Sequence, residues 1–114
     1  MPNLRRLGKI AEDRAAEFLI AQGYTIVTRR FKTRHGELDL VALDGDVLVF
    51  VEVKQRSAPG YVPEEAIGNA KLAALESAAQ EYLATMDDEA RETRFDLIAL
   101  DASGLRHQID AFRS

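Results

Sequence analysis

The sequence contains no cysteine and no tryptophan, and only two of its 114 residues are histidine. Without thiols the chain can form neither a disulfide framework nor a thiolate zinc site, and a reducing cytoplasm fits this composition. Its longest apolar run, Val47 to Val51, is far shorter than the ~20 residues that a membrane-spanning helix needs. We therefore expect a cytoplasmic protein with no membrane partner.

Acidic residues outnumber basic ones, 19 to 15, but the basic residues are unevenly distributed along the chain. The net charge is -4, yet residues 1–35 carry eight Lys or Arg against three acids. The remaining residues carry seven basic side chains against sixteen acids. This asymmetry favours one basic face, which would suit a phosphate backbone, although a solvated surface of mixed sign explains the charges equally well.

The length and the 46% apolar content predict a single domain over residues 1–114, large enough for one core. Hydrophobic periodicity predicts helices at about Leu7–Gln22 and Pro63–Thr85, and strands at Tyr24–Phe31, Gly36–Leu43, Val47–Lys54, Arg94–Leu100 and Leu105–Phe112. Gly23 would end the first helix, and Gly68 would allow a later start for the second. The predicted fold class is α/β, a mixed central sheet flanked by helices in the order α-β-β-β-α-β-β.

The first helix offers one acid for a site beneath its buried face. At roughly 100° per residue, Glu12 falls near the border of the apolar stripe, close in angle to Leu19. Glu17 points well away from that stripe. Glu12 is therefore the better candidate, and an ordinary surface glutamate at the margin of the stripe is an equally good interpretation.

The second and third strands form a hairpin whose register follows from its turn. With Gly45 and Asp46 as the two loop residues, Asp44 pairs with Val47. In this register apolar side chains meet on both faces through the middle of the hairpin, which is typical of interior strands. The charged residues therefore emerge at the end of a buried strand pair, where an uncompensated charge is costly.

The same register places Asp39 opposite Glu52 and Glu37 opposite Lys54. Two facing carboxylates repel each other unless a cation lies between them, and a hard divalent ion such as magnesium would remove this conflict. Lys54, on the same face as Glu52, would then orient a water molecule or stabilise charge on a phosphate. The structural alternative is an ion pair of Lys54 with Glu37 or Glu52 at an exposed sheet margin.

Five motifs in a fixed order resemble those of the bacterial YraN-like uncharacterised protein family. The segment from Asp39 through a hairpin to Glu52-Val53-Lys54 also resembles the PD-(D/E)xK signature of restriction-endonuclease-like nucleases. The YraN-like family is similar in turn to archaeal Holliday junction resolvases. The motifs are Gly8-x-x-Ala11-Glu12, Gly36-Glu37-Leu38-Asp39-Leu40, Val49-Phe50-Val51-Glu52-Val53-Lys54, Lys71 and Arg94-Phe95-Asp96.

The resemblance implies a restriction-endonuclease-like fold and a set of site residues. It makes Asp39, Glu52 and the main-chain carbonyl of Val53 the ligands of a magnesium or manganese ion. It also makes Lys54 the catalytic lysine and Glu12 a catalytic acid carried by the helix near the metal. These roles are expectations from the resemblance, and they agree with the chemistry that the hairpin register favours.

Three positions qualify this assignment. Glu37 belongs to the motif, but neither the resemblance nor its spacing assigns it a role. Leu38 stands where the signature's name has proline, a common variation among such nucleases. Arg30 stands where relatives tend to have asparagine.

We interpret the chain as a magnesium-dependent endonuclease that cleaves DNA, with branched or damaged DNA as candidate substrates, by attack of water on the phosphodiester. Contacts to the phosphate backbone are predicted for Arg5, Arg6, Lys9, Arg29, Arg30, Lys32, Arg34, Arg56 and Lys71. The alternatives are a non-catalytic nucleic-acid-binding module that keeps the nuclease fold, and a scaffold that binds only protein. The resemblance to resolvases also implies a homodimer.

Overall fold

The computed structural model describes residues 4–55, 68–86 and 91–112, which form two helices and five strands. The elements are α1 (Leu4–Ala21), β1 (Thr25–Lys32), β2 (Glu37–Asp44), β3 (Val47–Gln55), α2 (Asn69–Met86), β4 (Thr93–Asp101) and β5 (Gly104–Gln108). The predicted α/β class and element order are confirmed. The predicted loop after β3 and the predicted helix start at Pro63 lie outside the described residues. Neither described helix is long and apolar enough to cross a membrane.

The five strands form one sheet in the order β1-β2-β3-β4-β5. Only β3 and β4 are parallel, and α2 lies in the connection between them because parallel neighbours require a crossover. One layer of the core joins sheet residues such as Leu40 and Ile98 to α1, and the other joins Val41 and Phe50 to α2. The middle strands are therefore buried on both faces, as their apolar content predicts.

The hairpin of β2 and β3 has the predicted register. Asp44 pairs with Val47, and the ladder continues to the pair of Leu40 and Val51. Gly45 has a φ of 61°, which fits a two-residue type II′ turn with glycine at the first loop position. The turn chemistry and the apolar pattern thus select the same register.

The first helix begins earlier than predicted and ends where predicted. Leu4 is already helical, so the basic segment before Leu7 extends α1, because leucine and arginine are good helix formers. At the other end, the Tyr24 amide donates to the Leu19 carbonyl at 3.0 Å, and Gly23 has a φ of 97°. These features form a Schellman cap, in which glycine supplies the left-handed residue.

The last strand is shorter than predicted, since β5 ends at Gln108 rather than at Phe112. Asp110 has a φ of 56°, and its amide donates to Asp96 Oδ1 at 3.0 Å. The Ala111 amide donates to the Phe95 carbonyl at 2.8 Å. These bonds turn the chain across β4, so the alternating pattern of residues 109–112 does not mark a strand.

Small residues let α2 approach the start of β2. A Cβ atom added at Gly36 would lie 3.3 Å from the Ala74 Cβ and 3.4 Å from the Ala74 carbonyl oxygen. The apolar stripe of the second predicted helix includes the small residues Ala70, Ala74 and Ala78, which favour close packing on a sheet, although Ala70 is exposed in the structure. This contact holds the first turns of α2 beside the charged end of the hairpin.

Candidate functional site

The candidate site lies where β2 and β3 separate. Their ladder ends at the pair of Leu40 and Val51, one step before the two acids. The Val53 amide, which a longer ladder would direct to the main chain of β2, donates instead to Asp39 Oδ2 at 2.8 Å. Asp39 and Glu52 are therefore close enough to interact at the open end of the hairpin, just beyond the last ladder pair of the predicted register.

The same end of β2 also departs from simple alternation. Leu38 packs in the core layer of α2, whereas Leu40 packs in the layer of α1, although the two residues are two apart. Leu38 and Leu40 therefore do not share one face, as simple alternation along β2 would require. The irregularity lies at Asp39, whose carboxylate accepts the hydrogen bond from the Val53 amide that a main-chain carbonyl of β2 would otherwise accept.

Glu52 is a buried carboxylate with incomplete compensation. Its side chain is 4% exposed, and Oε1 lies 3.7 Å from Lys54 Nζ and 3.5 Å from Lys71 Nζ. In the described part of the chain Oε2 is buried without a hydrogen-bond partner. Burial raises the pKa of Glu52, and the charges of Lys71 and Lys54 oppose the rise only in part.

The pKa of Asp39 is also raised. Burial, followed by the charge of Glu52, raises the pKa of Asp39 to about 7, although the bond from the Val53 amide acts against the rise. The charges of Glu12 and Glu37 add smaller increases. The negative charges of Glu52, Glu12 and Glu37 thus all act on Asp39, and the single bond from the Val53 amide does not offset them.

This donor set fits a hard divalent cation, which prefers carboxylate oxygens and would relieve the repulsion between Asp39 and Glu52. The unpartnered Oε2 of Glu52 is an acceptor that such an ion would satisfy. Among residues 4–55, 68–86 and 91–112, however, no three His, Asp or Glu side chains are grouped closely enough to hold a metal. Further ligands would have to come from a main-chain carbonyl such as that of Val53, from water, or from a side chain that moves.

Glu12 reaches this region from α1, but its carboxylate is engaged elsewhere. Arg30 Nε lies 2.9 Å from Glu12 Oε1 and 3.0 Å from Oε2, and Nη2 lies 2.9 Å from Oε2. The structure therefore brings Glu12 close enough to influence Asp39 while binding it to a guanidinium. The prediction that Glu12 is a helix-borne acid near the site is compatible with this position and stays a prediction.

The predicted phosphate contacts divide into two groups. Asp13 binds both Lys9, at 3.1 Å, and Arg29, at 2.8 Å, so these cations lie with Arg30 at the junction of α1 and β1. Lys32 ends β1 instead of lying in the following connection, and Arg34 is exposed in that connection. The remaining predicted contacts, whose side chains lie outside the described part of the structure, are Arg5, Arg6 and Arg56.

Lys71 has a different position from the one that sequence reasoning gave it. It was predicted as a peripheral phosphate contact, yet it lies 3.5 Å from the buried Glu52 carboxylate. Its location depends on the approach of α2 to β2 through Gly36 and Ala74, which no local periodicity specifies. The motif match at Lys71 is the one sequence signal that could have drawn attention to it.

Sequence reasoning missed a second buried carboxylate, Asp96 in β4, which is fully buried. Arg94 binds it through Nε at 2.8 Å and Nη2 at 3.0 Å, and His107 Nε2 lies 2.8 Å from Oδ2. Arg94 also bonds Tyr24 Oη at 2.7 Å and Asp44 Oδ2 at 3.1 Å. This network ties β4 to β5, to the hairpin turn and to the segment after α1. The Arg94-Phe95-Asp96 motif was its sequence signal.

Comparison with known proteins places the chain in one family. The profile described as "Uncharacterised protein family UPF0102" matches residues 11–100. The UPF0102 protein of Symbiobacterium thermophilum is 47% identical over 98 residues, covering 85% of this chain and 83% of that protein. The UPF0102 protein of Persephonella marina is 39% identical over 106 residues, with coverages of 92% and 91%. That of Halorhodospira halophila is 43% identical over 110 residues, with coverages of 96% and 88%. This chain therefore belongs to the UPF0102 family, the YraN-like proteins that its motifs resemble.

Proposed function

We propose that this protein is a magnesium-dependent nuclease that hydrolyses phosphodiester bonds in DNA, with branched or damaged DNA as its substrate. The observation that carries the proposal is the Glu52 carboxylate, which is buried beside Asp39 and keeps Oε2 without a partner among the described residues. A protein that needed only an ion pair would have no reason to bury two acids together, because desolvation and mutual repulsion both oppose it. A divalent cation is the partner that this arrangement lacks.

Each residue has a role that its position supports. Asp39 and Glu52 would hold the ion with the main-chain carbonyl of Val53, and the Val53 amide would fix the Asp39 carboxylate. Bound there, magnesium would activate water and neutralise a phosphoryl oxygen. Lys54 and Lys71 lie on the Oε1 side of Glu52, where their ammonium groups could contact the scissile phosphate and stabilise its developing charge. The basic side chains of β1 and of the connection after it would contact the phosphate backbone.

A second candidate is a non-catalytic module that binds nucleic acid with the same fold. It is favoured by the cations already present, since Lys54 and Lys71 both lie within 4 Å of Glu52, and Arg30 binds Glu12. If these side chains compensate the acids well enough, no metal is needed. This candidate predicts binding to DNA that depends on salt and is indifferent to divalent ions.

The test combines metal titration with cleavage. We expect purified protein to cleave a branched DNA only with magnesium or manganese, and Lys54→Ala and Asp39→Asn to abolish cleavage. Asp46→Asn, at the exposed turn of the same hairpin, is the matched control and should cleave normally. Unchanged activity in Lys54→Ala would contradict the mechanism. Binding without cleavage, insensitive to metal and to Asp39→Asn, would favour the second candidate.

The proposal includes two further properties, of which the resemblance to resolvases implies the first and the composition favours the second. The first is a homodimer, which sedimentation of the purified protein would test. The second is a cytoplasmic location, which would place the protein beside intracellular DNA. Neither is needed for the chemistry at Asp39 and Glu52, so the failure of either would leave the cleavage experiment unaffected.

A further inference from the structure

The pairing of Arg30 with Glu12 differs from an ordinary surface ion pair. The guanidinium binds both carboxylate oxygens through the contacts of 2.9 and 3.0 Å given above. The Glu12 side chain is 13% exposed, whereas that of Arg30 is 43% exposed. The carboxylate is thus mostly buried, within range of electrostatic interaction with Asp39, and the guanidinium remains accessible to a ligand from solution.

The backbone at Arg30 is shaped to make this contact. Arg30 has a φ of 56°, a left-handed conformation that a residue with a Cβ rarely adopts and that is enriched at functional positions. Arg29 and Arg30 both bond to acids of α1, although neighbours in a regular strand point to opposite faces. Phe31 then packs in the layer of α2. The unusual φ therefore turns the Arg30 side chain toward Glu12.

Arg30 also interacts electrostatically with Glu37 and Asp39. The bonds and charge of Glu12 raise the pKa of Arg30, and the charges of Glu37 and Asp39 add to the rise. The charge of Glu12 in turn contributes to the raised pKa of Asp39. Glu12, Arg30 and Asp39 therefore interact electrostatically.

We propose that Arg30 is a phosphate-responsive latch on Glu12. In the free protein the Arg30 guanidinium holds the Glu12 carboxylate. When DNA binds, a backbone phosphate takes the guanidinium, and Glu12 becomes available as a third carboxylate beside Asp39 and Glu52. This inference rests on the proposed function and adds to it that the metal site is completed by the substrate.

The exchange is physically reasonable because carboxylate and phosphate compete for the same fork of N–H donors on arginine. Released Glu12 would add negative charge next to Asp39 and Glu52, which is favourable only when a cation is present. DNA and the divalent ion should therefore bind cooperatively. Because such coupling is reciprocal, each ligand should raise the affinity for the other by the same factor.

The test measures manganese affinity by electron paramagnetic resonance, with and without a short branched DNA whose linkages are phosphorothioates that resist cleavage. In the wild-type protein we expect DNA to raise manganese affinity by about tenfold, within the usual range of coupling between sites. Manganese should raise DNA affinity by the same factor, which fluorescence anisotropy measures independently.

Two neighbouring arginines provide a matched pair of variants. Arg30→Asn removes the latch with a residue that tolerates positive φ, so manganese affinity without DNA should rise and the coupling factor should fall to about one. Arg29→Asn removes the adjacent cation, which bonds Asp13 and not Glu12, so it should lower DNA affinity equally with and without manganese and keep the tenfold coupling. Glu12→Gln should also abolish the coupling, but without raising the affinity in the absence of DNA.

The outcomes separate the two proposals. Equal manganese affinity with and without DNA in the wild-type protein, or full coupling in Arg30→Asn, would overturn the latch and leave the metal site intact. No manganese binding even with DNA would instead remove the proposed function and the latch with it. Should Arg30→Asn fail to fold, Arg30→Lys keeps the charge without the fork, and its coupling should be clearly weaker than that of the wild type.

Discussion

Two buried carboxylates on neighbouring strands, Asp96 and Glu52, differ in how completely their oxygen atoms are hydrogen-bonded. Asp96 of β4 accepts bonds from Arg94 and from the Asp110 amide and lies 2.8 Å from His107 Nε2. Glu52 of β3, which pairs in the ladder with Leu97, has two lysines at 3.5 and 3.7 Å and a buried oxygen without a partner in the described structure. Burial alone therefore does not determine the pKa of a carboxyl group. The number of hydrogen bonds and positive charges around it also matters.

The directions of the pKa shifts express the same difference. Burial acts to raise the pKa of Asp96, but hydrogen bonds from His107, Arg94 and the Asp110 amide lower it below its ordinary value. The pKa values of Asp39 and Glu52 are raised despite their partners. A carboxylate with a full set of partners stabilises the fold, whereas Asp39 and Glu52 form a pair whose mutual repulsion a cation would relieve. The first region is structural, and the second is the candidate site.

The largest expected change in stability comes from breaking the hydrogen-bond network around Asp96. Asp96→Asn removes a buried charge and leaves Arg94 without its main partner, which should lower the free energy of unfolding by about 3–5 kcal/mol. Urea denaturation at pH 8 in the presence of a chelator would measure the loss. Asp46→Asn, at the exposed turn of the hairpin, is the control and should have a much smaller effect. A loss below about 1 kcal/mol for Asp96→Asn would contradict the distinction between the two regions.

Much of the fold that positions these regions is predictable from local signals. The Gly45 turn and the apolar run around Phe50 fix the register of the hairpin, because a slip would move every side chain to the other face. The end of β5 is not predictable in this way. Residues 109–112 alternate like a strand, but the bond from the Asp110 amide to Asp96 turns the chain away.

Only the part of the candidate site that lies within the hairpin of β2 and β3 is predictable from the sequence. Asp39, Glu52 and Lys54 belong to one hairpin, so their proximity follows from its register. Lys71 and the pairing of Glu12 with Arg30 depend on how the helices pack and on a positive φ in a strand, neither of which periodicity specifies. The assignment of these residues to metal binding or catalysis remains a prediction that the experiments above would test.

At the candidate site, removing one carboxylate charge should increase the free energy of unfolding instead of lowering it. Asp39→Asn keeps an acceptor for the Val53 amide and removes one of two repelling charges, so the metal-free protein should become more stable at pH 8 by on the order of 2 kcal/mol. The same urea denaturation measures it, with Asp46→Asn as the control. A destabilisation comparable to that of Asp96→Asn would mean that the two carboxylates are equally structural.

The smallest effect is the pH dependence of stability in the metal-free protein. The pKa of Asp39 is about 7 in the folded state and near its ordinary value of 3.8 in the unfolded state, so between these values the folded state holds a proton that the unfolded state releases. Stability should therefore fall as pH rises through this window, by on the order of 1 kcal/mol between pH 6 and pH 8.

The comparison with Asp96 and with a variant isolates that contribution. Because the pKa of Asp96 is lowered, its stabilisation is complete above its ordinary value and is lost only as the solution becomes strongly acidic, so it adds no slope near neutrality. Urea denaturation of the wild type and of Asp39→Asn at pH 6, 7 and 8 should therefore differ in slope by the amount due to Asp39. Parallel curves would show that Asp39 is already ionised at pH 6. In that case the lysines and the Val53 amide compensate the pair as fully as Arg94 and His107 compensate Asp96, and the case for a missing cation would fall.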